Sequence, residues 1–365
     1  MIYSGPSLRV LLVVLNKDNA EGLRECLKSL TQQSCGLCGC FDVLVMDGGS
    51  RDGSRDVVAE FSSKYPCIRF KVQEVGGGVG PARVEAVRYA LDYGYDYVIW
   101  GDSENVYDPH YVEEVVKRLG SPGCDVVSGR PVVAGRSFWS RAFFWYHAYH
   151  VLFDYVRRRH APGNNKGVSV GVYSRVIYPP VSRSDDFYFS YLALSRGLRF
   201  CYAGDAVVKV SMPEGFKGVR SWQNSRVRGL VEGALILGMH VPPDYPPWLL
   251  LALSPLAVGL AAYLAMHASP IAPAVLVIAY LAVLAYLGYK LFSAAGKALE
   301  GASPRLTSSL TALLGMYLHS VFTTYYVLKH LRTLYRLRGS LASRAAAVLR
   351  RFGFRPRDAG LQDSM

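Results

Sequence analysis

The sequence predicts an α/β domain with a mostly parallel sheet, followed by an α-helical membrane domain of about three spans. Short apolar runs alternate with amphipathic segments through the first hundred residues, which is typical of a sheet covered by helices on both faces. Charge-free apolar runs fill residues 248–266 and 271–289, and each is long enough to cross a bilayer. A basic segment follows, so the composition of the 365-residue chain changes twice.

The hydrophobic period predicts each element of the first domain. Four strands are expected, at residues 10–15, 42–46, 68–75 and 97–100. Amphipathic helices are expected between them, at residues 21–31, 51–65 and 82–93. Ligands of such sheets lie beyond the carboxyl ends of the strands. The polar segments that follow three of these strands, at 16–18, 47–50 and 102–104, should therefore converge on one cleft.

Asp102 and Glu104 follow the fourth strand with one residue between them. Positions i and i+2 of an extended chain share a face, so both carboxylates should point into the cleft. Hard divalent cations such as Mn²⁺ and Mg²⁺ bind carboxylate oxygens and take further ligands from substrate phosphates. The pattern favours a metal site for a diphosphate substrate, and an ordinary acidic turn is the alternative.

The glycine-rich segment 76–80 lies between a predicted strand and a predicted helix. A dinucleotide-binding turn is one interpretation, although the third glycine is missing and the segment follows the third strand rather than the first. A loop that brings Arg83 to a phosphate is the other interpretation. Both place a phosphate near the start of the helix.

The formal net charge is +13, and residues 329–357 contain one Lys and eight Arg without an acid. This basic segment directly follows the apolar part, which favours anionic lipid headgroups over nucleic acid. The apolar run at residues 8–15 is too short to be a secretory signal, and polar residues follow it directly. The first domain is therefore expected in the cytoplasm, in an integral protein of the cell membrane. Three spans would put the tail outside, whereas the positive-inside rule keeps it inside.

Two further features leave alternatives open. Cys35, Cys38 and Cys40 could hold zinc, form a disulfide or stand in a thiol-bearing loop, and zinc would need a fourth ligand. Residues 138–156 include nine aromatic residues, which suit either a membrane surface or a protein core.

A weaker third span is expected at residues 306–328. His319 within it is expected to face protein or a polar cavity.

Taken in order, these motifs resemble the family 2 inverting glycosyltransferases with the GT-A nucleotide-sugar fold, over about residues 8–232. The similar segments are the first strand and helix, 45–54, Gly80-Pro-Ala-Arg83 and Asp102-Ser-Glu104. The resemblance implies roles at the donor, and the residues that would line the base and ribose pocket are Leu15, Asn16, Asp18 and Asp47. It also implies that Arg83 neutralises the diphosphate, that Asp102 holds the ribose and metal region, and that Glu104 ligates Mn²⁺ or Mg²⁺.

Two later motifs extend the resemblance. The acidic pair Asp185 and Asp186, with Gly197 eleven residues after the second acid, is similar to the acceptor-base motif, so Asp186 would take the acceptor's hydroxyl proton. Capping of the next helix is compatible with this role. Gln223-Asn-Ser-Arg226 resembles the Gln-x-x-Arg-Trp motif of the membrane-embedded cellulose-synthase-like branch, with Val227 in place of Trp. Arg226 would clamp phosphate or reach lipid headgroups.

The expected organisation has four parts, at 1–215, 216–247, 248–335 and 336–365. These are the GT-A domain, an interfacial helix region, a membrane domain with spans at 248–267, 270–290 and 306–328, and a basic amphipathic tail. The resemblance implies transfer of one sugar, with mannose from GDP-mannose favoured, to a dolichyl- or polyprenyl-phosphate or lipid-linked glycan in archaeal N-glycan synthesis. A UDP-glucose-dependent enzyme, a short processive polysaccharide synthase and a non-enzymatic membrane adaptor are the alternatives.

Overall fold

The computed structural model describes residues 8–267, 269–300 and 306–361. Within them an eight-stranded sheet has the order β3-β2-β1-β4-β7-β6-β8-β5. The strands are β1 (Val10–Asn16), β2 (Asp42–Asp47), β3 (Ile68–Val72), β4 (Tyr97–Asp102), β5 (Val106–Tyr107), β6 (Val126–Val133), β7 (Lys166–Ser169) and β8 (Phe200–Val210). β1 to β4 are parallel, β6 pairs parallel with β8, and β5 and β7 are antiparallel to their neighbours. The sheet is thus mixed and mostly parallel.

Helices cover both faces of the sheet and then form a separate layer. The first nine are α1 (Ala20–Thr31), α2 (Ser54–Ser62), α3 (Val79–Asp92), α4 (Tyr111–Leu119), α5 (Phe138–Phe143), α6 (Trp145–Leu152), α7 (Asp154–Arg157), α8 (Asp185–Ser195) and α9 (Phe216–Ile236). The last four are α10 (Tyr245–Ala265), α11 (Ala272–Ala298), α12 (Leu306–Leu334) and α13 (Arg338–Arg351). All seven residues of β1 are buried, because helices pack on both of its faces.

The glycine-rich segment lets α3 begin three residues earlier than the sequence suggests. Gly78 has a φ of +109° and its Cα lies against Ser182, so a Cβ there would come within 2.2 Å of the Ser182 carbonyl oxygen. The Val79 N–H donates to that same oxygen at 3.2 Å. Only glycine combines this backbone conformation with this approach. Gly80 is equally close to this segment, since a Cβ there would lie 2.5 Å from the Val181 nitrogen. Gly78 and Gly80 therefore serve close packing against the segment before α8.

The aromatic segment 138–156 belongs mainly to the protein core. Phe143 and Phe144 are fully buried, and Trp145 is 3% exposed. These side chains belong to the same apolar cluster as residues of α11 and α12. Of the two interpretations offered by the sequence, the core one describes α5 and α6.

Two helices in the described part of the chain, α10 and α11, are long and apolar enough to cross a membrane, judged by length and composition. The expected third span is a helix, α12, but it falls short of that apolar character. One face of α12 carries buried polar side chains, at Ser309, His319, Ser320, Thr323 and His330. These side chains pack against protein, and the described residues therefore contain two clear candidate spans rather than a clear three.

The apolar face of α13 packs against protein. Leu341, Ala345 and Leu349 of α13 join the core cluster that contains β1 and α3, as do Phe352 and Phe354 beyond it. The Asp358 carbonyl accepts from the Ile177 N–H at 3.0 Å. The tail is thus a docked part of the first domain.

The cysteine cluster is divided between a disulfide and free thiols. Cys38 is bonded to Cys67, 29 residues away, while Cys35 and Cys40 are free. A second disulfide joins Cys124 and Cys201. The disulfide alternative is therefore correct for Cys38, with a partner outside the cluster.

Candidate active site

The ends of β1 and β2 meet, as the parallel sheet predicts. The Asn16 side-chain amide donates to Asp47 Oδ1 at 2.8 Å. Asp47 also accepts from the N–H groups of Gly49 and Ser50, at 3.0 and 2.8 Å. Asp18 has a φ of +48°, and its carboxylate accepts from the Arg51 N–H at 2.9 Å. These bonds fix the two turns against each other.

A polar cavity of about 1000 Å³ opens above these strand ends. Its walls include Leu15, Asn16, Asp18, Asp102 and Glu104. The glycine-rich loop and Arg183 complete the walls. Asp47 is 1% exposed and stands behind the wall, where its bonds hold Asn16 and the following turn in place.

Asp102 and Glu104 share this cavity, as their spacing predicts. Glu104 is exposed within the cavity, and partial desolvation by the surrounding protein, together with the nearby Asp102 carboxylate, raises its pKa to about 7. Burial also raises the pKa of Asp102. A divalent cation would offset this desolvation and repulsion, and two carboxylate oxygen donors suit Mn²⁺ or Mg²⁺. No cluster of three or more acidic, His or Cys ligands occurs in the described residues, so further ligands would come from substrate phosphates.

Arg83 lies deeper than a surface phosphate clamp would. It is 3% exposed, and its Nε lies 2.7 Å from Asp185 Oδ2. Its guanidinium also lies over the Trp100 ring, 4.8 Å from the ring centre. Its Nη1 has no hydrogen-bond partner within the described residues. Arg83 is therefore held by Asp185, with one buried donor left for a ligand or water.

Asp186 has different surroundings from its neighbour Asp185. Its carboxylate accepts the Gly163 N–H at 2.8 Å. Its pKa is lowered, because the charges of His160, Lys166 and Arg83 outweigh the effect of burial. Asp186 lines a polar cavity of about 340 Å³ that also contains Asp102, Glu104 and Arg83. It can thus hold a negative charge beside the predicted metal site.

Gln223 and Arg226 interlock with α12. Arg226 Nη2 donates to His319 Nε2 and to Thr323 Oγ1, both at 3.0 Å. The Gln223 amide contacts the other His319 ring nitrogen, and Arg226 Nη1 lies 3.7 Å from Asp244. His319 is fully buried, so it faces protein as the sequence analysis expects. The three contacts of Arg226, with His319, Thr323 and Asp244, hold its guanidinium in one orientation.

An apolar cavity of about 610 Å³ begins at Asp186 and Arg226 and extends to α10 and α11. Trp145, Tyr149 and Phe153 line its first part, while Trp248, Leu251 and Leu287 line the part formed by α10 and α11. His160 lies in its wall, with Nδ1 2.7 Å from the Tyr149 hydroxyl. Asp186 and Arg226 line both this cavity and the smaller polar one.

Several site residues escaped the sequence analysis. Arg183 lines both polar cavities, and a basic residue just before an acidic pair was the signal available for it. Lys166 is fully buried without a hydrogen-bond partner within the described residues. Desolvation and the charge of Arg83 lower its pKa. Nothing in the sequence pattern distinguishes Lys166, since its environment comes from β7 lying beside β4.

Residues 10–174 match the family model described as glycosyl transferase family 2. The matched segment contains the four parallel strands, Asp102 and Glu104, so this part of the chain is similar to the catalytic domains of family 2 glycosyltransferases. It ends before Asp185, and the helical layer lies beyond it.

Two curated relatives match part of the chain. The glycosyltransferase AglE of Haloferax volcanii is 26% identical over 126 residues, which are 34% of this chain and 39% of the relative. The uncharacterized glycosyltransferase YfnE of Bacillus subtilis is 27% identical over 140 residues, 38% of this chain and 32% of the relative. The chain thus spans well under half the length of these relatives.

Among solved structures, the chain is similar to the mannosyltransferase PcManGT from Pyrobaculum calidifontis in complex with GDP-Man and Mn²⁺. The TM-score is 0.53 at 19% identity, and the match covers 86% of this chain and 87% of the other. At this identity the likeness establishes a shared fold, a GT-A-like domain followed by helices.

Proposed function

We propose that the protein is a metal-dependent inverting glycosyltransferase that moves one sugar from a nucleotide-sugar donor to a lipid-phosphate acceptor at a membrane. The observation that carries this proposal is the position of Asp186. It stands where a polar cavity containing Asp102 and Glu104 adjoins an apolar cavity that leads to α10 and α11. A polar donor and a lipid acceptor could therefore meet at one carboxylate.

The donor would occupy the large polar cavity. Leu15, Asn16 and Asp18 would contact the base and ribose, with Asp47 holding Asn16. Asp102 and Glu104 would hold Mn²⁺ or Mg²⁺, which offsets the charge on the departing diphosphate when bound. GDP-mannose is the favoured donor, and the fold shared with a structure that contains GDP-Man and Mn²⁺ supports this choice. UDP-glucose is the alternative.

The transfer step would depend on an ionised Asp186, and the nearby positive charges that lower its pKa keep it ionised. An acceptor oxygen attacks the sugar carbon from the face opposite the diphosphate, a new C–O bond forms, and the bond to the diphosphate oxygen breaks. If the acceptor is a hydroxyl, its proton passes to the Asp186 carboxylate. If the acceptor is a lipid phosphate, the oxygen is already anionic, and Asp186 and Arg226 position it. Asp185 would act indirectly, by holding Arg83.

The acceptor would place its isoprenoid chain in the apolar cavity, with its phosphate near Arg226. Dolichyl or polyprenyl phosphate, or a glycan linked to it, has this combination of groups, and N-glycan synthesis is the proposed context. The catalytic domain would lie in the cytoplasm, anchored to the cell membrane by α10 and α11. Transfer of a single sugar is favoured over processive synthesis, because two candidate spans are too few to enclose a growing polymer.

The test uses purified protein in detergent with radiolabelled GDP-mannose, dolichyl phosphate and Mn²⁺, and parallel reactions with EDTA or with UDP-glucose. We expect label in the organic phase only with the nucleotide sugar and the metal. Glu104→Gln is the matched inactive variant. Absence of transfer from both donors by a folded, nucleotide-binding protein would overturn the proposed acceptor. Absence of nucleotide binding would favour the adaptor interpretation instead.

A further inference from the structure

α12 is attached to the first domain and its neighbouring helices along most of its length. Near its start, a Cβ on Gly315 would lie 1.8 Å from the Ala142 carbonyl oxygen of α5, so the two backbones are in contact. At its middle, His319 and Thr323 accept from Arg226 of α9. Near its end, the ring of His330 bonds Asn224, also on α9, at 3.0 Å. A helix of 29 residues is about 43 Å long. Because the contacts at Gly315, His319 and His330 are spread along it, α12 packs lengthwise on its neighbours rather than crossing them at one point.

The opposite face of α12 is apolar and exposed. The exposed fractions are 72% for Leu306, 58% for Leu310, 46% for Leu314, 39% for Val321, 59% for Tyr325 and 60% for Leu328. At 3.6 residues per turn, these positions fall within an arc of about 100°. The buried polar side chains lie on the other side of the helix. This two-sided pattern is typical of a helix that lies at a membrane surface.

We propose that α12 lies in the plane of the membrane interface and does not cross the bilayer. The occupant of its exposed stripe would be the headgroup and acyl boundary of the lipids. Two observations point to lipid rather than to a protein partner. The stripe adjoins α10 and α11, whose own large apolar side chains are exposed, among them Leu256, Leu260 and Ile278. Its last turns carry Lys329 and Arg332, which suit anionic headgroups.

The two ends of the α10–α11 pair support the same geometry. Asp244, just before α10, contacts Arg226, and Glu300, just after α11, donates its N–H to the Val133 carbonyl at 2.9 Å. α10 and α11 therefore form a hairpin that leaves the domain and returns to it. With α12 in the interface, the docked tail stays on the same side as the first domain, which removes the conflict with the positive-inside rule.

The experiment measures the immersion depth of nitroxide labels on single cysteines in phospholipid vesicles. The α12 positions are Leu310→Cys, Val321→Cys and Leu328→Cys, and the control positions on α10 are Leu253→Cys and Leu260→Cys. The background carries Cys35→Ser and Cys40→Ser, while Cys26 is fully buried. An interfacial helix predicts one shallow depth, about 5–10 Å, for all three α12 labels. The α10 control labels should lie at different depths, since this helix crosses.

A spanning α12 would change depth by roughly 27 Å between positions 310 and 328, with the middle label nearest the bilayer centre. That profile would overturn the proposal, and so would three labels exposed only to water. A second measurement is independent of label depth. Arg344→Cys on the tail and Lys28→Cys on the first domain, both exposed, should react with an impermeant maleimide from the same side of the vesicle. Reaction from opposite sides would establish an odd number of crossings.

Discussion

The proposed donor half and the proposed acceptor half of the candidate site are built differently. In the proposed donor half, Asn16, Asp18, Asp102 and Glu104 lie at or just after the ends of parallel strands of one sheet, within the first 104 residues. In the acceptor half, Arg226 is held by His319, 93 residues away. Strand ends converge because of the fold itself, whereas the Arg226 contacts require helices to pack in one particular way. The first half is thus readable from local sequence, and the second is not.

The largest effects should come from the carboxylates where the halves meet. Asp186→Asn should lower transfer to a hydroxyl acceptor by about 10²- to 10⁴-fold, because the proton acceptor is lost; it should lower transfer to a lipid phosphate less and leave nucleotide binding nearly unchanged. Glu104→Gln should abolish metal-dependent turnover and weaken metal-dependent donor binding. Initial rates measure the transfer activity of each variant, and nucleotide titrations with and without Mn²⁺ measure its affinity for the donor. Equal loss of donor affinity in the two variants would contradict the separate roles.

The next largest effect concerns the tail, which packs across the first domain. Leu349 is fully buried in the same cluster as β1 and α3, so Leu349→Ala should lower the free energy of unfolding by about 2–5 kcal/mol. Leu194→Ala on α8, at a side chain 36% exposed, is the control and should cost under about 1 kcal/mol. Thermal unfolding in detergent compares them. Equal stability of the two variants would mean that the tail does not stay docked.

His319→Gln should disturb the acceptor half alone. The loss of an acceptor for Arg226 Nη2 leaves a buried donor unsatisfied, which costs about 1–3 kcal/mol. We expect a higher KM for the lipid acceptor with an unchanged KM for the nucleotide sugar. His240→Gln is the control, because that ring lies beside Tyr335, remote from Arg226. Equal rises in both KM values would show that His319 supports the whole domain rather than Arg226.

The part of the site built from strand ends could be predicted from the sequence, whereas the part built by helix packing could not. Asp102 and Glu104 were found because strand geometry alone puts i and i+2 together. The position of Arg83 was only partly predicted, since its partner Asp185 lies 102 residues later and draws the guanidinium into the core. The expected third span is not among the two helices that are apolar enough to cross a membrane, because mean hydropathy is taken along the chain, whereas the two faces of α12 meet different surroundings.

The pH dependence of stability should report His150, a buried histidine whose ring lies 5.5 Å from that of His160 in the wall of the apolar cavity. Desolvation, with the nearby His160, lowers the pKa of His150 to about 3. A free histidine titrates near pH 6.5. Between that pH and about 3, the unfolded chain therefore binds a proton at His150 that the folded protein does not bind. Stability is therefore complete above pH 6.5 and falls as the pH drops toward 3, by up to about 1.4 kcal/mol per pH unit. The free energy of unfolding of the His150→Gln variant should fall less steeply as the pH is lowered. An unchanged slope would contradict a buried neutral His150 ring.

The smallest effect should come from the ion pair between the tail and the segment after β3. Arg351 Nη2 lies 3.2 Å from Glu74 Oε2, but the two side chains are 58% and 44% exposed. Water and salt screen such pairs, so Arg351→Gln should change the free energy of unfolding by less than about 1 kcal/mol, and less still at high salt. Thermal unfolding at two salt concentrations tests this. A loss as large as that of Leu349→Ala would mean that charge, and not apolar burial, holds the tail to the donor half.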